Sequence, residues 1–230
     1  MARPRHGLLW IGLLAVIALP SPVRGDPLIL FDTFGPGHTY DCCDARPEFG
    51  SNHNGFNGGG NLVSMAFSPG PTSPLVAIDV AVGTASSPSG FEPFTLALMS
   101  SIGGVPGTTI ESWNLTTNFL VTQCTNCFET AVSTLHPVLQ AGTQYWLAVF
   151  PPPDFDGDWM LGPPSNPGIG TIALSSDNGT NWTPVPNNPL GAFDVKGVSS
   201  TPEPGTLILL ASGLLGIPIA TRRKRQRATV

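Results

Sequence analysis

The chain predicts an all-β fold, a single antiparallel β-sandwich set between two terminal segments of a different kind. Three observations carry this. With 27 Gly and 25 Pro in 230 residues, long helices are improbable. Between Pro27 and Ser200 no stretch of a dozen residues keeps a 3.6 period while avoiding both. What does occur is a series of short apolar or alternating runs separated by turn residues, the pattern of a sandwich. A hydrophobic content of 41% argues that this region folds.

Residues 1–25 read as a signal peptide. Arg3 and Arg5 precede an apolar run from Leu8 to Leu19, then Pro and Ser, with small Val23 and Gly25 before a mature start near Asp26. An uncleaved anchor is the alternative, but the apolar run is short for a span of about 20 residues.

Residues 26–198 carry the predicted strands. LILFDTFG (28–35) is the first, and the polar, Gly-rich HTYDCCDARPEFGSNHNGFNGGGN that follows reads as a long exposed loop. LVSMAFSP, PLVAIDVAVGT (around Asp79) and FEPFTLALMSS are strands. GGVPGTTIESWNLT turns at 103–107 and continues as a strand. ETAVSTLHPVL and TQYWLAVFPPP follow. In GTIALSSDNGTNWTPV, Asp177-Asn178-Gly179 supplies residues that tolerate positive φ at a hairpin turn. GAFDVKGV closes the domain, for about nine or ten strands in all.

Residues 199–205 are a linker holding Pro202, Glu203 and Pro204. Residues 206–220 are apolar or small and uncharged, about 22 Å if helical, which is less than a hydrocarbon core of about 30 Å. The basic tail 221–230 carries Arg222, Arg223, Lys224, Arg225 and Arg227, a stop-transfer cluster held on the cytoplasmic side.

Between those ends charge is lopsided. Arg46 and Lys196 are the only basic residues from 26 to 205 and stand against 15 Asp and Glu, a formal charge of −13. Such a surface repels phosphate backbones and excludes nucleic-acid binding.

Pro202-Glu203-Pro204, a short apolar helix and an arginine-rich end together resemble the PEP-CTERM sorting signal of exported bacterial proteins. The resemblance implies an exosortase partner that recognises Pro-Glu-Pro and removes the tail after transient membrane anchoring. The protein would end on the cell surface or outside the cell, associated with exopolysaccharide and biofilm. A permanent single-pass anchor is the competing reading. FDTFGPG, FTLALMSSIGGVPGTTIESWNL, LQAGTQYWLAV, SSDNGTNW and GAFDVKG resemble the extracellular choice-anchored R domain over about residues 28–197. That resemblance implies a jelly-roll-like sandwich and supplies no catalytic residues.

Several residues are candidates for chemistry. Cys42, Cys43, Cys124 and Cys127 are disulfide candidates outside the cytoplasm. Bonding adjacent Cys42 to Cys43 needs a strained ring, which favours two bridges to the 124–127 segment. A four-thiolate zinc site and a redox CxxC are the alternatives. Asp154, Asp156 and Asp158 alternate in PDFDGDW and suit Ca²⁺, with a solvated acidic loop as the favoured reading. Ser175–Trp182 matches most of an Asp-box, which in one copy is a stable turn. Trp113, Trp146, Trp159 and Trp182 could include a sugar-stacking platform, the carbohydrate-binding (lectin-like) alternative. Glu48, Glu92, Glu111 and Glu129 are scattered, and His38, His53 and His136 show no ligand spacing. No catalytic motif is present, so the expectation is a non-enzymatic protein, with an unrecognised extracellular hydrolase as the third reading. No cofactor is expected beyond that Ca²⁺.

Overall fold

A computed structural model describes residues 27–47 (backbone only for 42–47), 62–84, 92–120, 126–152, 155, 157–165 and 168–199. The described residues lie in one unit, Pro27–Ser199. They hold fourteen strands and no helix, so none is long and apolar enough to cross a membrane.

In chain order these are β1 (Leu28–Asp32), β2 (Asp41–Pro47), β3 (Leu62–Phe67), β4 (Ser73–Val80), β5 (Val82–Thr84), β6 (Pro93–Ile102) and β7 (Val105–Thr116). They continue as β8 (Glu129–Val132), β9 (Val138–Leu139), β10 (Tyr145–Phe150), β11 (Gly157–Leu161), β12 (Ile169–Ser175), β13 (Thr183–Pro189) and β14 (Phe193–Gly197). One sheet runs β13-β12-β3-β10-β6-β7 and a second β1-β14-β4-β8, with β9 pairing the start of β4. All strand pairs in both are antiparallel.

Alternation decides which face each strand buries. Val63, Met65 and Phe67 of β3, Leu96 and Leu98 of β6 and Leu147 and Val149 of β10 point inward from the six-stranded sheet. Ile78 and Val80 of β4, Phe193 and Val195 of β14 and Ala131 of β8 meet them from the other. The two inner faces share one apolar cluster, which makes the architecture a β-sandwich, as expected.

Turn chemistry holds where it was legible. Asn178 and Gly179 have φ of +56° and +82°, and Asp177 Oδ1 accepts from the Asn181 amide at 2.8 Å. The β6–β7 turn is tighter than the 103–107 expectation. Only Gly103 and Gly104 lie between the strands, both at positive φ as a two-residue hairpin turn of the I′ kind requires.

A third sheet, β2-β11-β5, corrects two expectations. The region read as one long loop contains β2, and Asp158, read as part of an acidic loop, lies in β11 paired with Gly83 and Pro47. β11 is only five residues long and opens on Gly157 and Asp158, so its buried Trp159, Met160 and Leu161 give no strand-length alternation, and β2 lies within a polar stretch. Gly191 lets β14 pass close by, since a Cβ there would sit 2.4 Å from the Trp159 ring.

Candidate functional site

The outer face of the β1-β14-β4-β8 sheet carries a row of polar residues that register alone brings together. Asp32 pairs with Asp194, Asp194 with Asp79, and Asp79 with Thr130, one position from each of four adjacent strands. Because β-strand side chains alternate, residues paired in register share a face. Lys196, two residues beyond Asp194, stands on that same face.

The row is closely bonded. The Lys196 ammonium donates to Asp79 Oδ2 and lies 3.5 Å from Asp194 Oδ2. The Thr130 hydroxyl donates to Asp79 Oδ1 at 2.7 Å, and the Asp79 amide donates to Asp194 Oδ1 at 3.4 Å. His38 Nε2 is 2.9 Å from Asp194 Oδ2 and 3.7 Å from Asp79 Oδ2. Both carboxylates are sealed, with side chains 2% exposed, while Lys196 is 16% and His38 37% exposed. Of the cluster's charged or titratable side chains, His38 is the most exposed to water and Lys196 the next.

His38 is set there by a turn. Gly35 N–H donates to Thr39 O at 2.8 Å, closing a loop in which Gly37 and His38 both take positive φ, +72° and +57°. A non-glycine residue in that region carries a backbone cost of about 1 kcal/mol, which the surroundings must hold in place. Asp32 Oδ1 fixes the entry by accepting from the Phe34 amide at 2.7 Å. The imidazole then lies between Phe34 and Phe128, with ring centroids 5.1 and 5.0 Å away.

Electrostatics follow from burial. Desolvation, then the charge of Asp79, pushes the Asp194 carboxyl above its ordinary value. Desolvation also raises Asp32, against the hydrogen bond from Phe34 and the charges of His38 and Lys196. Burial pulls the Lys196 ammonium down, but Asp79 and Asp194 outweigh it and hold its pKa above the usual lysine value. His38, Asp79 and Asp194 offer ligand atoms within 4.8 Å of one another, a spacing a metal ion could use. The Lys196 ammonium already supplies the positive charge such an ion would bring. The two carboxylates are closed over by the ammonium and His38.

The residues singled out from sequence lie elsewhere. Pro202, Glu203, Pro204, the 206–220 segment, Arg222, Arg223, Lys224, Arg225, Arg227 and the signal peptide fall outside the described residues, as do Cys124, Asp154 and Asp156. Cys42 and Cys43 lie on β2. Cys127 packs beside Phe128 against a small cluster that includes Phe34, Tyr40 and Phe119. Trp146 and Trp159 are fully buried, whereas Trp113 and Trp182 are half-buried at opposite edges of the six-stranded sheet. The four form no shared platform. An open groove of about 320 Å³ lies between Pro93, Phe94, Thr95, Asn114, Phe150 and Pro151–Pro152, apolar but for Thr95 and Asn114.

Sequence reasoning missed the cluster. Its one signal was Asp79, a charge inside an otherwise apolar strand, and its partners came from positions 38, 130, 194 and 196 that only sheet order joins.

The fold therefore defines an all-β sandwich domain with a sealed charge cluster. Residues 200–225 match the PEP-CTERM protein-sorting motif, and that motif implies export, membrane-anchored transit and exosortase processing. No curated protein and no solved structure matches the chain.

Proposed function

We propose that the protein is a non-enzymatic component of the cell surface or extracellular matrix, displayed by exosortase sorting and acting by adhesion within exopolysaccharide or biofilm. The sorting motif at 200–225 carries this reading. Three further features support it. The exported segment has a formal charge of −13, which keeps a secreted domain soluble and suits cation-bridged polymer. The carboxylate cluster is sealed rather than open to substrate. The likeness to choice-anchored R domains points to a display module.

Two disulfides from Cys42 and Cys43 to Cys124 and Cys127 belong to this reading. Tyr40, next to β2, and Cys127 meet in one cluster, which brings the two cysteine regions to the same part of the fold.

Intact mass of the protein recovered from its own cells tests the proposal. The expected species lacks about the first 25 residues and everything beyond the Pro-Glu-Pro region. Reduction then adds two hydrogens per bridge. A species that retains the arginine-rich tail would make the protein a permanent anchor and remove the support for matrix release.

The carbohydrate-binding reading has one observation in its favour, the apolar groove beside Phe150 with Thr95 and Asn114 at its wall. A glycan array decides it: saturable binding lost in Phe150→Ala supports a lectin, and an array without a binder removes it.

A further inference from the structure

The arrangement around Lys196 is unusual in one respect. An amine and a carboxyl carbon are held in contact on neighbouring strands, sealed from water on most sides, with a second carboxyl and an imidazole beside them. Each of those neighbours has a place in amide formation. We propose that Lys196 and Asp79 condense into an intramolecular isopeptide bond, with Asp194 and His38 moving the protons.

The step balances without a co-reactant. It begins from the ammonium–carboxylate pair seen here. Lys196 passes a proton to Asp194 Oδ2, 3.5 Å away, and burial and the Asp79 charge make that carboxyl a better proton acceptor than an ordinary aspartate. His38 Nε2 carries that proton on to Asp79 Oδ2, so the neutral amine attacks the carbon of a neutral carboxyl. Charge developing on Oδ1 is held by the Thr130 hydroxyl at 2.7 Å. The C–N bond forms, the C–Oδ2 bond breaks, and Oδ2 leaves as water. Both protons on that water come from the lysine nitrogen, relayed through Asp194 and His38 Nε2, which lies 2.9 Å from one carboxylate and 3.7 Å from the other. Asp194 and His38 end as they began, and nothing is oxidised or reduced.

Two physical conditions favour the product. Strand register fixes the reacting groups as neighbours, so the reaction is unimolecular with the effective concentration that orientation provides. Burial withholds the water that would reverse it: the Asp79 side chain is 2% exposed, and the water formed can leave past His38.

Position gives the bond a use. Lys196 lies in β14, the last strand before residue 200, where the sorting motif begins. Tension entering from an attached C-terminus would reach β14 first and peel it from β4. A bond from Lys196 to Asp79, 117 residues apart in sequence, transfers that load to the middle of the sheet. The chemistry itself does not depend on sorting or on adhesion, so it is tested separately.

The experiment uses the protein as purified from its own cells, denatured and digested with trypsin. Arg46 is followed by Pro47, a bond that trypsin leaves intact, so Lys196 is the only residue from 26 to 205 after which trypsin cleaves, and a blocked Lys196 is easy to read. The expected result is no cleavage after Lys196 and, after chymotrypsin, a branched peptide joining the two strands with the loss of one water, about 18 Da. Lys196→Arg keeps the charge and removes the nucleophile; it should be cleaved at 196 and give only linear peptides. Asp194→Asn should lower the branched fraction while the fold persists. Cleavage at Lys196 in the wild type, with both peptides linear, overturns the proposal and leaves an ion pair. Linear peptides accompanied by one retained divalent cation in the native mass spectrum overturn it in favour of a metal site at His38, Asp79 and Asp194. The wild-type digest alone decides, so the result stands even if a variant fails to fold.

Discussion

The two sheets of the sandwich bury their inner faces in the same way and treat their outer faces in opposite ways. On the outside of the six-stranded sheet, Trp146 lies among Ala66, Ala97, Met99, Ala148 and Ala173, with Phe150 and Trp182 packed alongside. Its indole N–H donates to Ser101 Oγ at 3.1 Å. On the outside of the other sheet the equivalent area holds two buried carboxylates, an ammonium and an imidazole. One face is stabilised by apolar area removed from water. The other must offset the desolvation of several charges with mutual attraction, which in buried ion pairs seldom yields a net gain. An apolar patch of that shape would serve stability at least as well. The charged face is therefore the one whose composition asks for a reason other than folding.

The largest expected effect is on the apolar side. Trp146→Ala removes a fully buried indole ringed by alanines too small to fill the gap. The loss should be about 3–5 kcal/mol, read as a fall in the urea midpoint. The deficit should be the same at pH 5 and pH 8, since no titrating group is among the cluster. A loss under about 1 kcal/mol would mean that this face collapses readily and that its packing is not what holds it.

Lys196→Met probes the other face and should behave differently with pH. Removing the ammonium leaves Asp79 and Asp194 facing one another, both nearly inaccessible to water. At pH 7 the cost should be about 3 kcal/mol or more, because an uncompensated buried charge remains. Burial, then the Asp79 charge, holds the Asp194 carboxyl above its ordinary value, so the folded state takes up a proton there first. Stability is therefore favoured below the unfolded pKa of about 4 and lost as pH rises through the folded one. The deficit of the variant should shrink as pH falls from 7 towards 4. A deficit independent of pH would erase the distinction between the two faces.

The contrast also explains what could be read from sequence. The inner faces were legible because alternation is local: Val63, Met65 and Phe67 announce a buried face within six residues, and Leu96 and Leu98 do the same. The Asn178-Gly179 turn was legible because positive φ restricts residue choice. Trp146 signalled a strong strand, but not which face it would take. The charged face was not legible, because Asp32, Asp79, Thr130 and Asp194 share a row only once strand order and register are known, and each strand came from a different part of the chain. β2 and β11 were missed for another reason: β2 lies in a polar, glycine-rich stretch and β11 is five residues long, too short for alternation to show. The sorting signal, a contiguous string read by another protein, was fully legible.

Glu129 provides the smallest effect and the finest test of how the charged sheet treats an acid whose titration is set chiefly by burial. It sits at the start of β8, opposite Val80 in register, where burial pushes its carboxyl up to about 7 against one hydrogen bond from the Asn118 amide. A folded pKa above the unfolded one means that the folded state holds the proton more tightly. Its contribution is thus present in full below about pH 4.5 and lost as pH rises to about 7. The group is half exposed, so solvent screening makes the change modest. Glu129→Gln keeps the shape and one donor while removing the titration. The wild type should lose stability between pH 5 and 7.5, and the variant should lose less, the two midpoints converging at acid pH. Parallel pH profiles would show that Glu129 is already ionised at pH 5, solvated at the sheet edge. Burial on this sheet would then be costly only at the Asp79–Asp194 centre, where Lys196 is needed.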